Sequence, residues 1–257
     1  GTENLMSFRN AISAIHFPRT MKESERAESR FGFEELFLLQ LKKFLALETR
    51  TASLAPIITV EKKYHDTLIH ALPFTLTDAQ VKTLNDILND LQKPHPMNRL
   101  LNGDVGSGKT VIAGIAALLV IQNKHQVAFM APTEILARQH FETIRKLFPN
   151  NDYAIGLCTS SEKKVIAPYG ELLKPNIPKL VKDGTINFLI GTHALIQDSV
   201  DFKNLGLVIV DEQHRFGVRQ RAALVTHKYG KQKIIPHLLS MTATPIPRTL
   251  ALTIYGD

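Results

Sequence analysis

Hydrophobic and polar positions divide the chain into two parts with different patterns. In the first part, Lys22 to Arg50 starts with charged residues and continues with apolar residues at spacings of three and four. This spacing predicts one long helix. Ala55-Pro56 ends the pattern, and a further helix is predicted over Glu61 to Ala71. We therefore expect residues 1–70 to form a helical segment distinct from the rest of the chain.

From about residue 71 onward, short apolar runs alternate with helical patterns, and Thr77 is a suitable N-cap for a helix over Asp78 to Leu91. Such alternation predicts an α/β fold, with a central, mainly parallel sheet between helices. The expected strands are Leu100–Leu101, Val127–Ala131, Ala154–Cys158, Phe188–Ile190, Leu205–Val210, Leu238–Met241 and Leu252–Tyr255, and the further helices are Val111–Asn123, Glu134–Leu147 and Arg219–Thr226.

One polar segment, Ser160 to Asp183, interrupts this alternation. It contains Pro168, Pro175 and Pro178, which disfavour continuous regular structure. We predict a loop with a short helix here, and the sequence indicates no role for it.

Composition narrows the class of protein. The 257 residues, 44% of them hydrophobic, are enough for one large α/β domain or for one domain with an appendage. The only cysteine, Cys158, excludes an internal disulfide and suits a reducing compartment. Apolar runs such as Ile112 to Ile121 are shorter than the roughly 18 residues of a membrane span, so we expect no membrane segment. A net charge of +7 favours polyanionic partners.

The segment from Gly103 to Thr110 matches the phosphate-binding P-loop pattern G-x-x-x-x-G-K-[ST] and lies between a strand candidate and an apolar helix. Its glycines allow backbone N–H groups to surround a phosphate. Lys109 can reach the β- and γ-phosphates, and the Thr110 hydroxyl can ligate Mg²⁺. The expected nucleotide-binding residues are Gly103, Asp104, Val105, Gly106, Ser107, Gly108, Lys109 and Thr110.

Two acids, Asp211 and Glu212, follow the apolar run Leu205 to Val210. The carboxyl ends of central strands are where open α/β sheets bind ligands. We expect Asp211 to hold Mg²⁺, directly or through water, and Glu212 to orient and polarise an attacking water. The alternative is that the acids only cap the strand and begin the next helix.

The residues around these acids resemble the RecG family, which are ATP-dependent DNA helicases of superfamily 2. Asp211 to Arg221 is similar to the Walker B region of that family, and other segments match its motifs in order and spacing. These are Gly103–Thr110 for motif I, Met130–Ala137 for motif Ia, Ile190–Ile196 for motif Ib and Met241–Thr249 for motif III.

The resemblance implies a domain arrangement. It implies that residues 71–257 form a RecA-like lobe, the first, ATP-binding lobe of a P-loop NTPase motor. His16-Phe17-Pro18 and Phe33 to Phe37 resemble the stretch that joins the wedge domain of the family to its motor. Residues 1–70 are then the helical linker. The wedge domain and the second motor lobe are expected to be absent from this chain.

The resemblance also implies roles for single residues. Gln80 is placed like the adenine-reading glutamine of the superfamily, since an amide can donate and accept on the adenine edge. His214 is implied as a catalytic residue, beside Lys109, Asp211 and Glu212, that couples the ATP site to motif III. The coupling residues of motif III are Thr242, Thr244 and Arg248, and the implied contacts to the DNA backbone are Pro132, Thr133, Thr192 and His193.

The function implied is that of a DNA helicase or translocase in the bacterial cytoplasm, using ATP and Mg²⁺ on branched DNA such as stalled forks and Holliday junctions. It serves recombination and repair, and we expect a monomer. The second lobe normally supplies arginines that can be worth about 10³ to 10⁵ in rate. We therefore expect this chain alone to bind ATP weakly, hydrolyse little and unwind nothing.

Two other functions remain open at this stage. One is the first lobe of a transcription-repair coupling DNA translocase, although Gln213 and Gln220-Arg221 favour RecG. The other is an ATP-gated DNA-binding module without turnover. Asp211 and Glu212 argue against such a module, because a sensor needs no water-orienting acid.

Overall fold

The computed structural model describes residues 5–51, 53–149, 152–192, 200–212 and 234–243. In these ranges the chain separates into two compact units, one ending at Arg50 and the other beginning at Thr51. The predicted helix Arg219–Thr226 and strand Leu252–Tyr255 lie outside the described residues. Among the described helices, none combines the length and the apolar composition that crossing a bilayer requires.

The described part of the first unit contains α1 (Phe8–His16) and α2 (Met21–Thr51). Helix α2 confirms the long helix predicted over Lys22 to Arg50, whereas α1 has no counterpart among the predicted helices. The hydroxyl of Thr20 accepts a hydrogen bond of 3.2 Å from the Glu23 N–H, which satisfies one of the free donors at the start of α2. Among the described side chains of this unit, the buried ones are small: Ala11, Ala14 and Ala27.

The second unit is an α/β structure, and its order of elements confirms the predicted alternation. The elements are α3 (Lys62–His70), α4 (Asp78–Leu91), β1 (Asn98–Asn102), α5 (Lys109–Gln122), β2 (Gln126–Met130), α6 (Glu134–Leu147), β3 (Ala154–Cys158), β4 (Lys163–Ala167), β5 (Gly170–Glu171), α7 (Ile177–Lys182), β6 (Ile186–Gly191), β7 (Leu205–Val210) and β8 (His237–Thr242).

The strands of the described residues form one sheet in the order β1-β8-β7-β2-β6-β3-β4-β5. All neighbouring pairs from β1 to β3 are parallel, which confirms the predicted mainly parallel sheet. Only the last two strands run antiparallel to their neighbours.

The prediction for Ser160 to Asp183 is partly wrong. The short helix is present as α7, but the segment before it forms the strands β4 and β5 instead of a loop. Strand β4 pairs with β3 and buries Val165 and Ala167. Pairing with β3 provides hydrogen-bond partners for the backbone groups of both strands, so a segment of polar composition forms a strand.

Alternate residues of β2 enter two separate cores. Val127 and Phe129 pack with the residues of α4, α5 and α6, whereas Ala128 and Met130 pack with α7 and β7. Helix α5 is buried at every position from Val111 to Ile121. The loop that precedes α5 is therefore attached to a helix that packing holds tightly.

The parallel strands bring all the predicted motifs to one edge of the sheet. Register pairs Asn102 with Thr242, and Met130 with both Val210 and Gly191. These residues are the carboxyl ends of five strands, and each predicted motif begins at or just after one of them. The candidate site therefore lies at the edge where α/β sheets bind ligands.

Candidate nucleotide-binding site

The loop between β1 and α5 has the backbone conformation that a P-loop requires. Gly106 and Gly108 have φ angles of 81° and 86°, a region that residues with a Cβ atom rarely enter. The Ser107 N–H donates to the Asp104 carbonyl at 3.1 Å and closes the turn. Gly108 is the N-cap of α5, so the loop leads directly into a helix N-terminus. This arrangement suits an anion such as phosphate.

The Lys109 side chain folds back across the loop. Its ammonium donates to the carbonyl oxygens of Gly103 and Asp104, the latter at 2.8 Å. Phosphate oxygens are acceptors of the same kind for a lysine ammonium. The predicted role of Lys109 in reaching the outer phosphates stays a prediction.

Gln80 joins α4 to the P-loop. Its side-chain carbonyl accepts from the Thr77 N–H at 2.8 Å, and its amide donates to the Ser107 carbonyl at 2.9 Å. The first bond belongs to a capping box with Thr77, which confirms the predicted N-cap. The predicted adenine-reading residue is thus held against the loop by both ends of its amide.

A cavity of about 550 Å³ opens between α4 and the loop. This volume lies within the range of about 300 to 1,000 Å³ that is usual for small-molecule sites. The walls come from both elements and include Thr77, Gln80, Thr83, Gly103, Ser107 and Lys109.

Asp211 is buried at the end of β7, with 6% of its surface exposed. Its N–H donates to the Met130 carbonyl at 2.8 Å and extends the pairing of β7 with β2 by one residue. One carboxylate oxygen, Oδ1, accepts from the Glu212 N–H at 3.0 Å. The carboxylate is therefore held in place on the side of the sheet edge where the P-loop lies.

His140, which was not predicted from the sequence, connects the two halves of the site. Its Nδ1 lies 3.3 Å from the Thr110 hydroxyl, and its Nε2 lies 2.8 Å from the second Asp211 oxygen, Oδ2. The ring is buried and packs on Phe129 with 4.5 Å between ring centroids. The sequence signal was a histidine on the buried face of α6, three residues after Ala137, but such a residue is usually structural.

The two predicted metal ligands, Thr110 and Asp211, are thus bridged by the imidazole ring of His140. In the described part of the chain, no group of three or more histidine, cysteine or acidic side chains could bind a metal unaided. Mg²⁺ commonly uses one or two protein oxygens together with substrate phosphates. A hydroxyl and a carboxylate beside a phosphate-binding loop fit that requirement.

Glu212, the second of the two acids, contacts the motif III segment. Its backbone has φ 48°, an uncommon conformation for a residue with a side chain. The carboxylate accepts from the Ala243 N–H at 3.2 Å, and the carbonyl of the adjacent Thr242, which is buried, accepts from the Gly103 N–H at 3.3 Å. Motif III therefore contacts both the acid pair and the start of the P-loop.

Three of the residues predicted to contact the DNA backbone, Pro132, Thr133 and Thr192, lie at the same edge of the sheet. The Thr133 hydroxyl accepts from the Leu136 N–H at 3.3 Å and serves as the N-cap of α6. Pro132 is half-buried, and Thr192 is buried at the end of β6. The predicted residues His193, His214, Thr244 and Arg248 lie outside the described residues.

The start of α6 is bound to the turn after β3, which contains Ser160 and Ser161. The Glu134 carboxylate accepts from the Ser161 hydroxyl and the Ser160 N–H, and these bonds lower the pKa of Glu134. Arg138 forms an ion pair of 2.7 Å with Glu162. The Arg138 charge is therefore paired within the protein.

Comparison with known proteins agrees with this geometry. The profile of the DEAD/DEAH box helicase family matches residues 77–253. The chain is 44% identical over 256 residues to the ATP-dependent DNA helicase RecG of Streptococcus pneumoniae and 48% identical over 252 residues to that of Aquifex aeolicus. It superimposes on a solved structure of RecG bound to a three-way DNA junction with a TM-score of 0.81 and 40% identity.

These matches cover nearly all of this chain but a minor part of the relatives. The alignments include 98% and 96% of this chain, and 36% and 31% of the two helicases. The superposition covers 99% of this chain and 33% of the solved RecG chain. The chain thus spans about a third of the length of the relatives it matches.

Proposed function

This chain belongs to the DEAD/DEAH box helicase family, and we propose that it is the first motor lobe of an ATP-dependent DNA helicase that acts on branched DNA. The observation that carries the proposal is the meeting of a P-loop with a buried carboxylate through His140. The relatives named RecG and the RecG structure with a three-way junction support DNA as the substrate.

In the proposed mechanism, backbone N–H groups of the P-loop and the Lys109 ammonium bind the β- and γ-phosphates. Thr110 and Asp211 would hold Mg²⁺, which would supply positive charge beside the phosphate oxygens. Glu212 orients the attacking water and accepts its proton. Phosphoryl transfer depends mainly on positioning and charge neutralisation, and these groups provide the part of both that this lobe contributes.

Hydrolysis is coupled to movement through motif III. In this conformation one oxygen of the Glu212 carboxylate accepts from the Ala243 N–H, and we propose that this hydrogen bond is exchanged when the acid orients water. Such an exchange of hydrogen-bond partners is a common way to transmit the loss of a γ-phosphate. We propose that His214, Thr244 and Arg248 extend this coupling, and that Gln80 contacts the adenine.

The remaining parts of the function are assigned to the whole protein. We propose that residues 1–70 link the motor to a wedge domain that selects branched DNA, and that a second lobe supplies arginines to the transition state. Pro132, Thr133, Thr192 and His193 contact the DNA backbone without reading sequence. The protein acts as a monomer on DNA in the bacterial cytoplasm.

Nucleotide binding tests this proposal directly. A fluorescent ATP analogue is titrated with the wild-type chain in the presence of Mg²⁺. We expect binding that Lys109→Ala removes and that Lys124→Ala, a change just beyond the other end of α5, leaves intact. Failure of the wild type to bind, or retention of affinity in Lys109→Ala, refutes a nucleotide site.

Hydrolysis provides the second test. We expect Glu212→Gln to keep the nucleotide affinity and to remove the small turnover of the chain, because only the water-orienting group is lost. Turnover that survives Glu212→Gln contradicts the role of that acid. Steady-state turnover equal to that of a full-length RecG-type helicase contradicts the need for a second lobe.

A further inference from the structure

The buried imidazole of His140 lies between the two groups to which we assign the magnesium ion. Its two ring nitrogens face Thr110 at 3.3 Å and Asp211 at 2.8 Å. None of the residue roles proposed above is assigned to His140. Among the ion pairs and hydrogen bonds of the described residues, the His140 ring contacts these two candidate ligands and no other side chain.

We propose that His140 is a positioning residue that orients Thr110 and Asp211 so that both can share one magnesium ion. This inference rests on the proposed function, because it needs a nucleotide and its metal in the site. It assigns the nucleotide chemistry to Lys109 and the loop, and the metal geometry to His140.

The donors and acceptors determine how the three side chains are arranged. The Asp211 carboxylate only accepts, so Nε2 of His140 carries the hydrogen in that contact. In the neutral imidazole, Nδ1 is then an acceptor for the hydroxyl hydrogen of Thr110. The lone pairs of the Thr110 oxygen are then left free to ligate a cation.

The same contact fixes the plane of the Asp211 carboxylate. His140 holds Oδ2, and the Glu212 N–H holds Oδ1 at 3.0 Å, so rotation of the group is restricted. Each oxygen accepts more than one hydrogen bond or metal contact, so a lone pair remains on both. Mutation of a residue that orients a metal ligand in this way commonly lowers metal affinity by about 10- to 100-fold.

The packing of His140 prevents the ring from choosing another arrangement. The ring contacts Phe129 of the central strand β2, with an interplanar angle of 47°. On its own helix it belongs to the buried face formed with Ala137, Phe141 and Ile144. A side chain held on both sides transmits the position of α6 and β2 to the metal ligands.

The test separates nucleotide binding from metal binding. The dissociation constant of a fluorescent ADP analogue is measured with EDTA and with Mg²⁺, and the ratio of the two values gives the gain due to the metal. We expect His140→Ala to reduce this gain by about tenfold or more. The affinity in EDTA should stay at the wild-type value, because Lys109 and the loop amides bind the phosphates without His140.

Two conservative variants identify the contact that matters. In His140→Asn the amide can occupy the position of Nδ1 and reach Thr110, and in His140→Gln it can occupy the position of Nε2 and reach Asp211. We expect each variant to recover part of the gain. The matched control is His237→Gln, which alters a buried histidine at the opposite edge of the sheet and should leave the ratio unchanged.

The outcomes distinguish this inference from the function on which it rests. A wild-type ratio in His140→Ala overturns the inference, and so does an equal loss of affinity in EDTA and in Mg²⁺, because that result indicates a purely structural role. Failure of the wild type to bind nucleotide overturns the proposed function itself. If His140→Ala does not fold, the wild-type tautomer decides: nitrogen NMR that places the hydrogen on Nδ1 instead of Nε2 overturns the inference.

Discussion

Substitution of Gly108 by alanine should damage the P-loop through two separate effects. The first is backbone strain, because Gly108 has φ 86° and the left-handed conformation costs other residues about 1–2 kcal/mol. The second is a collision, since a Cβ atom at this position would lie 2.5 Å from Nε2 of Gln80. Gln80 must then release the Ser107 carbonyl, and a hydrogen bond of this kind contributes about 0.5–1.5 kcal/mol. We expect Gly108→Ala to cost about 1.5–3.5 kcal/mol in total.

Gly106 provides a matched control for the strain. It has φ 81°, and a Cβ atom there meets nothing within 4 Å. Gly106→Ala should therefore cost only the conformational part, about 1–2 kcal/mol. The difference between the two variants, about 1 kcal/mol, measures the contact of Gln80 with the loop. Free energies of unfolding are obtained from urea titrations, with circular dichroism to confirm that each variant folds.

A double-mutant cycle completes the test. Gln80→Ala removes the side chain that collides, so Gly108→Ala should cost about 1 kcal/mol less in that background than in the wild type. Equal costs of Gly106→Ala and Gly108→Ala, or an additive cycle, would show that Gln80 does not touch the loop in solution. A loss of nucleotide affinity that exceeds tenfold in Gly108→Ala, but not in Gln80→Ala, would assign the functional effect to the loop backbone.

Two further predictions concern the side of the sheet where the parallel strands begin, opposite the candidate site. His237 accepts from the Met97 N–H at 3.0 Å and donates to the Pro56 carbonyl at 2.7 Å, and burial lowers its pKa below the ordinary 6.5. The nearby His125 and His95 also lower the pKa of His237, whereas Asp90 raises it. The unfolded chain therefore binds the proton at a higher pH than the folded chain does. We expect the free energy of unfolding, measured by urea titration, to fall as pH decreases below 6.5, by at most about 1.4 kcal/mol per pH unit. An equal slope in His237→Gln would contradict this. The Asn123 side chain forms hydrogen bonds of 2.9 Å with both the N–H and the carbonyl of Thr59. Asn123→Ala should therefore lower the free energy of unfolding by about 1–3 kcal/mol. A free energy of unfolding equal to that of the wild type within error would show that residues 54–61 are not anchored by this side chain.

The elements that were predicted well are those with strong local signals. Helix α4 begins and ends where Thr77 and the apolar spacing place it, and the capping box with Gln80 was present in the sequence. The burial of α5 along its whole length follows from a run of apolar residues that no exposed helix would carry. Such signals depend on neighbours within one or two turns, so they can be recognised without knowledge of the fold.

The errors occurred where distant partners determine the structure. Strand β4 forms because β3 offers it a free edge, and the sequence from Lys163 to Ala167 does not contain that information. Helix α1 is short, and its buried residues, Ala11 and Ala14, carry little apolar signal.

The sequence by itself determined the α/β class, the P-loop and the acid pair, because each is a contiguous string whose residue types suffice to recognise it. Only the tertiary structure decided how these strings meet. Thr110 and Asp211 are 101 positions apart in the numbering, and the imidazole that joins them comes from a third segment. Glu212 contacts Ala243 only because β7 and β8 are adjacent in the sheet. Contacts across a sheet edge depend on strand order and register, which a single sequence without its fold does not reveal.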